Sequence, residues 1–482
     1  MRRLLPLLLL LSACPAAEPD VLPQPPPNYR QAPAEPQPEA VPAVPVNGLS
    51  ILRLTVNQGA QVTVMDNFVE QVDAMPLVAG KDLLIRAHLA PHNDWEPRPI
   101  RGVLTVHAAD RSFVFEETLE VVDASFDGDL STTLDGVVPA DFAEPGLRVE
   151  ARVFELDGVV RDASPGRSTW PPEGSQALRF APWEGGITLR IVPVVYRADG
   201  SDRLPDTSPE QLGLIRDYLL RMYPTTDIAL ELEPELAWDG EIGSSSGLND
   251  LLDAVVDERE LRGIPVDHYF YALVAPANTR ATFCAQGCTA GLSYRPDNPN
   301  RAWMRSSVSL GYAGERSAET LAHELGHAHG RRHAPCGGAS QTDPNYPYEG
   351  GLLGTWGWDG EELLPPGGTG DIMGYCSPKW ISDYQVAGLY ERIVAMAGLF
   401  DQDAERDKGP VRWFAEGPDG ALVDRGVRQR VLEGGEAVDV LMTVGREPVV
   451  GAARFYALDD QPGGAWLLPD PEATAFVPID PR

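Results

Sequence analysis

One stretch of eleven residues, 323–333, limits what this chain can fold into more than any other. It reads His-Glu-Leu-Gly-His-Ala-His-Gly-Arg-Arg-His, the pattern H-E-x-x-H-x-x-G-x-x-H, and holds four of the eight histidines of the 482-residue chain. The first half must be helical for its spacing to mean anything. On a helix, His323 and His327 stand one turn apart on one face, where two neutral imidazoles can grip one zinc ion. Gly330 can take a left-handed conformation and end that helix. The chain then turns back, and His333 can become a third ligand. Three protein ligands leave a fourth position open, as a catalytic zinc requires and a structural zinc does not. Glu324, beside the first ligand, is placed to act as general base. His329 falls about 200° round the helix from His327, so it is read as a solvated histidine or one behind the ligands, not as a ligand.

The rest of the chain must support such a centre. Residues 1–14 read as a leader, with Arg2 and Arg3 followed by the apolar run Leu4–Leu11, too short to span a bilayer as a stable anchor. Its end, Leu11-Ser12-Ala13-Cys14, resembles the lipobox of bacterial lipoproteins. That resemblance implies lipidation at Cys14 and a lipid-anchored place in a bacterial cell envelope, at the outer membrane or cell surface. Residues 15–46 carry eleven prolines and should form an extended tether. Residues 47–183 alternate in the manner of strands over 49–56, 83–89, 102–107, 113–122 and 147–155, which predicts a β-sandwich. Its histidines, His88, His92 and His107, show no ligand spacing. Its role is open between substrate docking, a prodomain and a spacer. It contains no cysteine, so a thiolate from it cannot block a metal.

Residues 184–400 change character. A strand over 187–197 leads to a helix capped by Ser208, with Pro209 in the first turn and Gln211 completing a capping box. Leu212, Ile215, Leu219 and Met222 give that helix an apolar stripe. A strand follows over 228–232, then a helix over 248–261 ended by Gly263, then a buried strand over 269–274. Strands over 291–294 and 306–312 precede the metal-site helix, for which Ser317 is the expected cap and Glu319 the first-turn acid. Ser382-Asp383-Tyr384-Gln385 starts a closing helix to about residue 397. Cys284, Cys288, Cys336 and Cys376 suggest two disulfides in an exported chain, the favoured pairing among three being Cys284–Cys288 and Cys336–Cys376. A four-cysteine zinc site is the weaker alternative. The run Asp401-Gln402-Asp403-Ala404-Glu405 resembles a calcium loop only faintly, lacking its glycine and final glutamate, and reads better as an acidic linker. Residues 401–482 again show strands, over 438–444 and 453–458, and suggest a small β-sandwich.

The extended histidine motif resembles that of the metzincin clan of zinc endopeptidases. The clan also has a Met-turn beneath the zinc histidines, and Asp371-Ile372-Met373-Gly374-Tyr375-Cys376 fits it, with Met373 as the floor. The strand-helix-strand-helix-strand order after residue 187 matches the clan's upper subdomain, whose edge strand pairs with extended peptides. The nearest likeness is to bacterial secreted metzincins of the mucin-cleaving group. Some metzincins have a tyrosine two residues after the methionine, and by resemblance Tyr375 would ligate zinc at rest and stabilise the oxyanion in turnover; a packed aromatic is the plainer alternative.

The expectation is therefore a multidomain chain with an α+β, metzincin-like catalytic domain flanked by all-β domains. It would be a membrane-tethered zinc endopeptidase acting on protein or glycoprotein substrates. The competing reading is a surface binding protein with a vestigial metzincin fold, and a non-peptide zinc hydrolase is a third. The formal net charge of −32 argues against nucleic acid and against an electrostatic grip on anionic membranes, leaving the lipid as the only membrane contact.

Overall fold

The computed structural model describes residues 43–72, 75, 77–109, 111–181, 186–397 and 408–479. The leader with Cys14, the tether up to residue 42 and the acidic run 401–405 lie outside the described residues. Ala43–Arg482 form one compact unit. Among the described residues no helix is long and apolar enough to cross a membrane.

The first layer is two facing sheets. One is built from β1 (Leu49–Asn57), β2 (Gln61–Asp66), β3 (Val69–Glu70), β4 (Leu83–Pro91) and, beyond β5 (Arg98–His107) and β6 (Ser112–Val121), β7 (Thr133–Val138), in the order β3-β2-β1-β4-β7. The other pairs β5 with β6 and β8 (Arg148–Glu155), with β9 (Thr169–Trp170) and β10 (Gln176–Ala177) along β8. The alternation of apolar residues puts Leu104, Val106, Val149 and Val153 in a core shared with Leu54, Ile85 and Leu134. The strands β2 and β7, short and bounded by turns, go beyond those expected from the sequence. The histidines here have local partners: His88 meets Thr55, His92 meets Ser50, and His107 meets Ser112.

The middle of the chain forms a sheet of β11 (Ile187–Tyr196), β12 (Ile228–Leu232), β13 (Leu236–Trp238), β14 (Tyr269–Val274), β15 (Gly291–Ser293) and β16 (Ser306–Leu310). Its order is β12-β11-β14-β16-β15, with β13 beside β11. All pairs are parallel except β15 on β16, so β15 is an antiparallel edge. The crossovers that parallel strands need are α1 (Pro209–Met222) and α2 (Leu248–Leu261); α3 (Arg280–Phe283) is a single turn before the edge strand. After β16 the chain enters the metal-site helix, α4 (Glu315–Ala328). Ile215, Leu219 and Met222 of α1 share a core with Leu321 and Leu325 of α4. The Ser208 cap forms as expected, its hydroxyl accepting from Gln211 N–H. The reciprocal half of the box does not. The Gln211 amide instead accepts from Gly314 N–H at 2.7 Å and donates to Gly314 carbonyl at 3.2 Å, tying the start of α1 to the start of α4.

Short pairs follow α4: β17 (Gly357–Trp358) with β18 (Leu363–Leu364), and β19 (Gly370–Asp371) with β20 (Lys379–Trp380), before α5 (Asp383–Ala397). The sandwich docks on this region, away from the histidines. Trp380 Nε1 donates to Gly59 carbonyl, Gln61 N–H to Trp356 carbonyl, and buried Lys81 to Tyr223 carbonyl. Burial pushes the Lys81 ammonium down to about 7.

The last segment corrects an expectation. It is not a second sandwich. β21 (Gly409–Glu416), β22 (Leu422–Arg430), β23 (Glu436–Val444), β24 (Glu447–Ala457), β25 (Gly464–Leu468) and β26 (Ala473–Pro478) form one antiparallel sheet, ordered β22-β21-β25-β24-β23-β26. A second sheet is unnecessary because α2 and the middle sheet supply the cover: Val411, Trp413, Tyr456 and Leu467 share a core with Leu252, Val255, Val256 and Phe270. A row of ion pairs flanks that core. Arg425 meets Asp250 and Asp253, Arg428 holds Asp257 bidentately at 2.9 and 2.7 Å, and Arg430 meets Glu260. The four acids recur every three or four residues and so line one face of α2.

These pairs differ in worth. Arg430 is buried and lies over the rings of Trp303 and Trp413, whereas Arg428 and Asp257 are partly exposed. Arg430→Ala is expected to cost about 2–4 kcal/mol, because it opens the packing against Trp303 and Trp413. Arg428→Ala should cost under about 1 kcal/mol. Urea unfolding of the two variants beside the parent measures the difference.

Candidate metal centre

Helix α4 begins one turn earlier than the Ser317 cap implies. Its N-cap is Gly314, at φ +104°, with no side-chain cap, and Glu315 is the first-turn acid. Gly314 can enter the helix this way because Gln211 already satisfies its backbone. Ser317 sits inside the first turn, where its hydroxyl accepts from Tyr312 N–H and donates to Tyr312 carbonyl. Glu319 pairs with Lys379 at 2.9 Å. The helix ends at Ala328, and Gly330 takes φ +86°, the left-handed turn its position requires.

That turn brings the three expected histidines together. His323, His327 and His333 are all buried. Each Nδ1 faces a backbone carbonyl: Ile372 for His323 at 2.7 Å, Arg331 for His327 at 2.8 Å, and Ser340 for His333 at 2.6 Å. A carbonyl can only accept, so each Nδ1 carries a proton, and in the neutral ring that a metal needs each Nε2 keeps its lone pair. The three lone pairs converge: Nε2 of His327 lies 3.2 Å from Nε2 of His323 and 3.2 Å from Nε2 of His333. Three bare lone pairs at that spacing repel one another unless a cation joins them. With bonds of about 2.0–2.1 Å, tetrahedral zinc sets its ligand atoms about 3.3 Å apart, which fits the spacing seen. Burial pushes the His323 imidazole down to about 4, which favours the neutral form a metal needs.

The floor is the Met-turn. Asp371 is fully buried, and its carboxylate accepts from Met373 N–H at 2.8 Å and Ser382 N–H at 3.1 Å. Gly374 N–H closes the turn on Asp371 carbonyl. Met373 packs against Gly326 of α4, where a Cβ would come within 2.3 Å of its sulfur. Cys336 and Cys376 form a disulfide, with Cα atoms 5.5 Å apart, joining the segment after His333 to the Met-turn. Cys284 pairs with Cys288 beside the cleft. All four cysteines are thus oxidised, which leaves no thiolate for a second metal.

Glu324 is buried, and its Oε2 has no hydrogen-bond partner among the described residues. It fits because residue 291 on the edge strand is glycine, where a Cβ would meet Glu324 Oε1 at 2.3 Å. Burial first, and the nearby Asp460 carboxylate second, raise the Glu324 carboxyl well above its usual range. Glu324 and His323 line a cleft of about 240 Å³ together with Gly291, Tyr375, Arg280 and Lys379.

The structure brings together the three histidines, Glu324, Met373 and Tyr375, and it excludes His329. His329 is not solvated. It is buried, donates to Leu325 carbonyl at 2.7 Å and stacks on Tyr269 with ring centres 4.6 Å apart; burial pushes its pKa down to about 3. What sequence reasoning missed is Asp460, on the loop between β24 and β25. Its Oδ1 lies 3.1 Å from His333 Nε2 and accepts from Tyr375 hydroxyl at 2.8 Å, and its Oδ2 lies 3.3 Å from His327 Nε2. Burial opposes its charge, but the adjoining imidazoles hold its carboxyl well below the usual range. An aspartate in a turn some 130 residues downstream carries no spacing signal that could have found it.

The family model described as Peptidase M66 matches residues 306–364, which contain β16, all of α4 and the three histidines. The matched segment also includes Glu324, so the three histidines and the acid beside them fall within one similarity to a peptidase family. No curated protein matches the chain. One solved structure, titled "Structure of a chaperone-substrate complex", aligns at 12% identity with a TM-score of 0.25, covering 55% of this chain and 39% of that one. The chain thus spans well under half the length of that structure, and a likeness so slight carries no argument about fold.

Gly291→Ala tests the fit of Glu324 as a base. The added methyl group must displace the Glu324 carboxylate, so turnover of a peptide substrate should fall by about 10²-fold or more, the worth of a misplaced catalytic group. Bound zinc, measured by elemental analysis, should stay at the parent level.

Proposed function

We propose that the protein is an extracytoplasmic zinc endopeptidase cleaving internal peptide bonds of protein or glycoprotein substrates. One observation carries the reading: three carbonyl-anchored imidazoles direct their Nε2 atoms to one point, with a buried carboxylate beside them whose Oε2 has no hydrogen-bond partner among the described residues. A zinc ion held there supplies Lewis-acid polarisation of a peptide carbonyl and lowers the pKa of a water it holds.

The chain's own groups then divide the work. Glu324 takes a proton from the attacking water on its free oxygen and passes it to the leaving amine as the C–N bond breaks. The Tyr375 hydroxyl, 3.2 Å from His333 Nε2, stands where it can donate to the developing oxyanion once it is free of Asp460. An extended peptide added along the edge strand β15 would lay the scissile bond beside the histidines. A pure binding protein gains nothing from a buried unpaired carboxylate, which costs stability wherever it is not used.

Casein cleavage with and without a chelator tests the class. Glu324→Gln should keep about one zinc per chain and lose about 10²–10⁴-fold in turnover, whereas His327→Ala should lose zinc and activity together. Activity close to the parent in Glu324→Gln would sink the mechanism.

The two disulfides suit an oxidising compartment. With the lipobox-like ending at Cys14, this supports the proposal that a lipid anchor and a proline-rich tether hold the enzyme at a bacterial envelope. Cys14→Ser should then move the protein from the membrane to the soluble fraction on cell fractionation. An unlipidated, soluble parent protein would overturn the anchor.

A further inference from the structure

The Asp460 carboxylate occupies the space that a substrate carbonyl and its attacking water need. It lies between Tyr375 and the three histidines: 2.8 Å from the Tyr375 hydroxyl and 3.1, 3.3 and 3.4 Å from Nε2 of His333, His327 and His323. With those nitrogens in the neutral form a metal requires, the carboxylate oxygens and the three lone pairs all face one point. Asp460 Oδ2 is buried and accepts no hydrogen bond among the described residues. All four ligand atoms lie within 4.8 Å of one another. Three histidines and one carboxylate at these distances complete a tetrahedral donor set, with no position left over.

The delivery of Asp460 looks built. Asp459, fully buried, pairs with Arg295, and its carbonyl accepts from Ser340 hydroxyl at 2.8 Å; Leu458 carbonyl accepts from the Gln341 side chain at 2.6 Å. Ser340 is also the residue whose carbonyl orients His333. Asp459 and Asp460 are held by side chains of the catalytic segment on a loop of six residues, 458–463, whose first residue, Leu458, is buried in the core shared with α2 and bridges Tyr294. The sheet bearing the loop is fixed by that core and by the arginine row. The loop beyond Leu458 can therefore withdraw without the sheet leaving.

Resting on the zinc-peptidase reading, we propose that Asp460 is a fourth metal-binding side chain and that it keeps the peptidase latent until the 458–463 loop withdraws. Among the described residues none of the N-terminal sandwich lines the cleft. Inhibition is supplied from the C-terminal side and in cis, by a carboxylate, with no spare thiolate among the described residues. A substrate or partner that displaces the loop would both open the metal and release Tyr375.

The test replaces zinc by cobalt in the full-length protein and in Asp460→Ala and Asp460→Asn, the second keeping the side chain's shape. The visible cobalt spectrum should change in both variants as a protein oxygen gives way to solvent. Chelator competition should show metal held at least about tenfold more weakly. Casein turnover with zinc should rise by about 5–150-fold, the usual span of coupling between two states. An unchanged spectrum and affinity would overturn the ligand assignment. A changed spectrum with turnover unchanged or lowered would overturn the latency, a fall marking Asp460 as a group the reaction needs. A parent protein that takes up neither zinc nor cobalt would instead overturn the zinc-peptidase reading itself. Circular dichroism and melting of each variant confirm that it folds.

Discussion

Everything at the metal centre depends on three hydrogen bonds that do not touch the metal position. The carbonyls of Ile372, Arg331 and Ser340 each take the Nδ1 proton of one histidine and so decide where its lone pair points. Each carbonyl belongs to a different piece of backbone: the Met-turn, the turn after Gly330, and the loop after Cys336. The surrounding fold can be understood as the means of holding those pieces still. Asp371 braces the first, Gly330 permits the second, and the Cys336–Cys376 disulfide joins the third to the first. Loss of any of them would leave the histidines present but unaimed.

The same logic explains the glycines that matter here. Gly291 admits the Glu324 carboxylate against the edge strand, and Gly326 admits the Met373 sulfur against α4. In both places an essential side chain lies closer to a neighbouring backbone than any residue with a Cβ would allow. The site is compact because its walls are bare.

Much of this was legible in the sequence. The histidine motif stated its own geometry, since a helical turn and a following glycine leave His333 few places to go. The order of strands and helices from Ile187 to Val274 followed from period and caps, because apolar alternation and stripes are local signals. Local signals also misled. Ser317 looks like a cap, but Gln211, a hundred residues upstream, satisfies Gly314 and lets the helix start sooner. His329 looks like a polar helix residue, yet Tyr269 from a neighbouring strand gives its ring a stacking partner inside. The C-terminal strands suggested a sandwich because nothing in them reveals that α2 covers one face. Asp460 is the clearest case: its meaning lies wholly in which residues the fold sets opposite it, and a pair of aspartates in a turn gives no hint of that.

The position of that loop in the chain has a consequence for timing. Ribosomes release a chain from its N-terminus, so the residues of the metal centre, complete by Tyr375, emerge before the strands that carry Asp460. A newly made molecule therefore passes through an interval in which every other residue of its cleft has emerged and its own stopper is still to come. Two things cover that interval: an oxidising compartment is needed to form the disulfide that braces the Met-turn, and metal must be on hand to fill the centre. Where the cell supplies both late, the molecule would meet its metal only after it had acquired the means to restrain it.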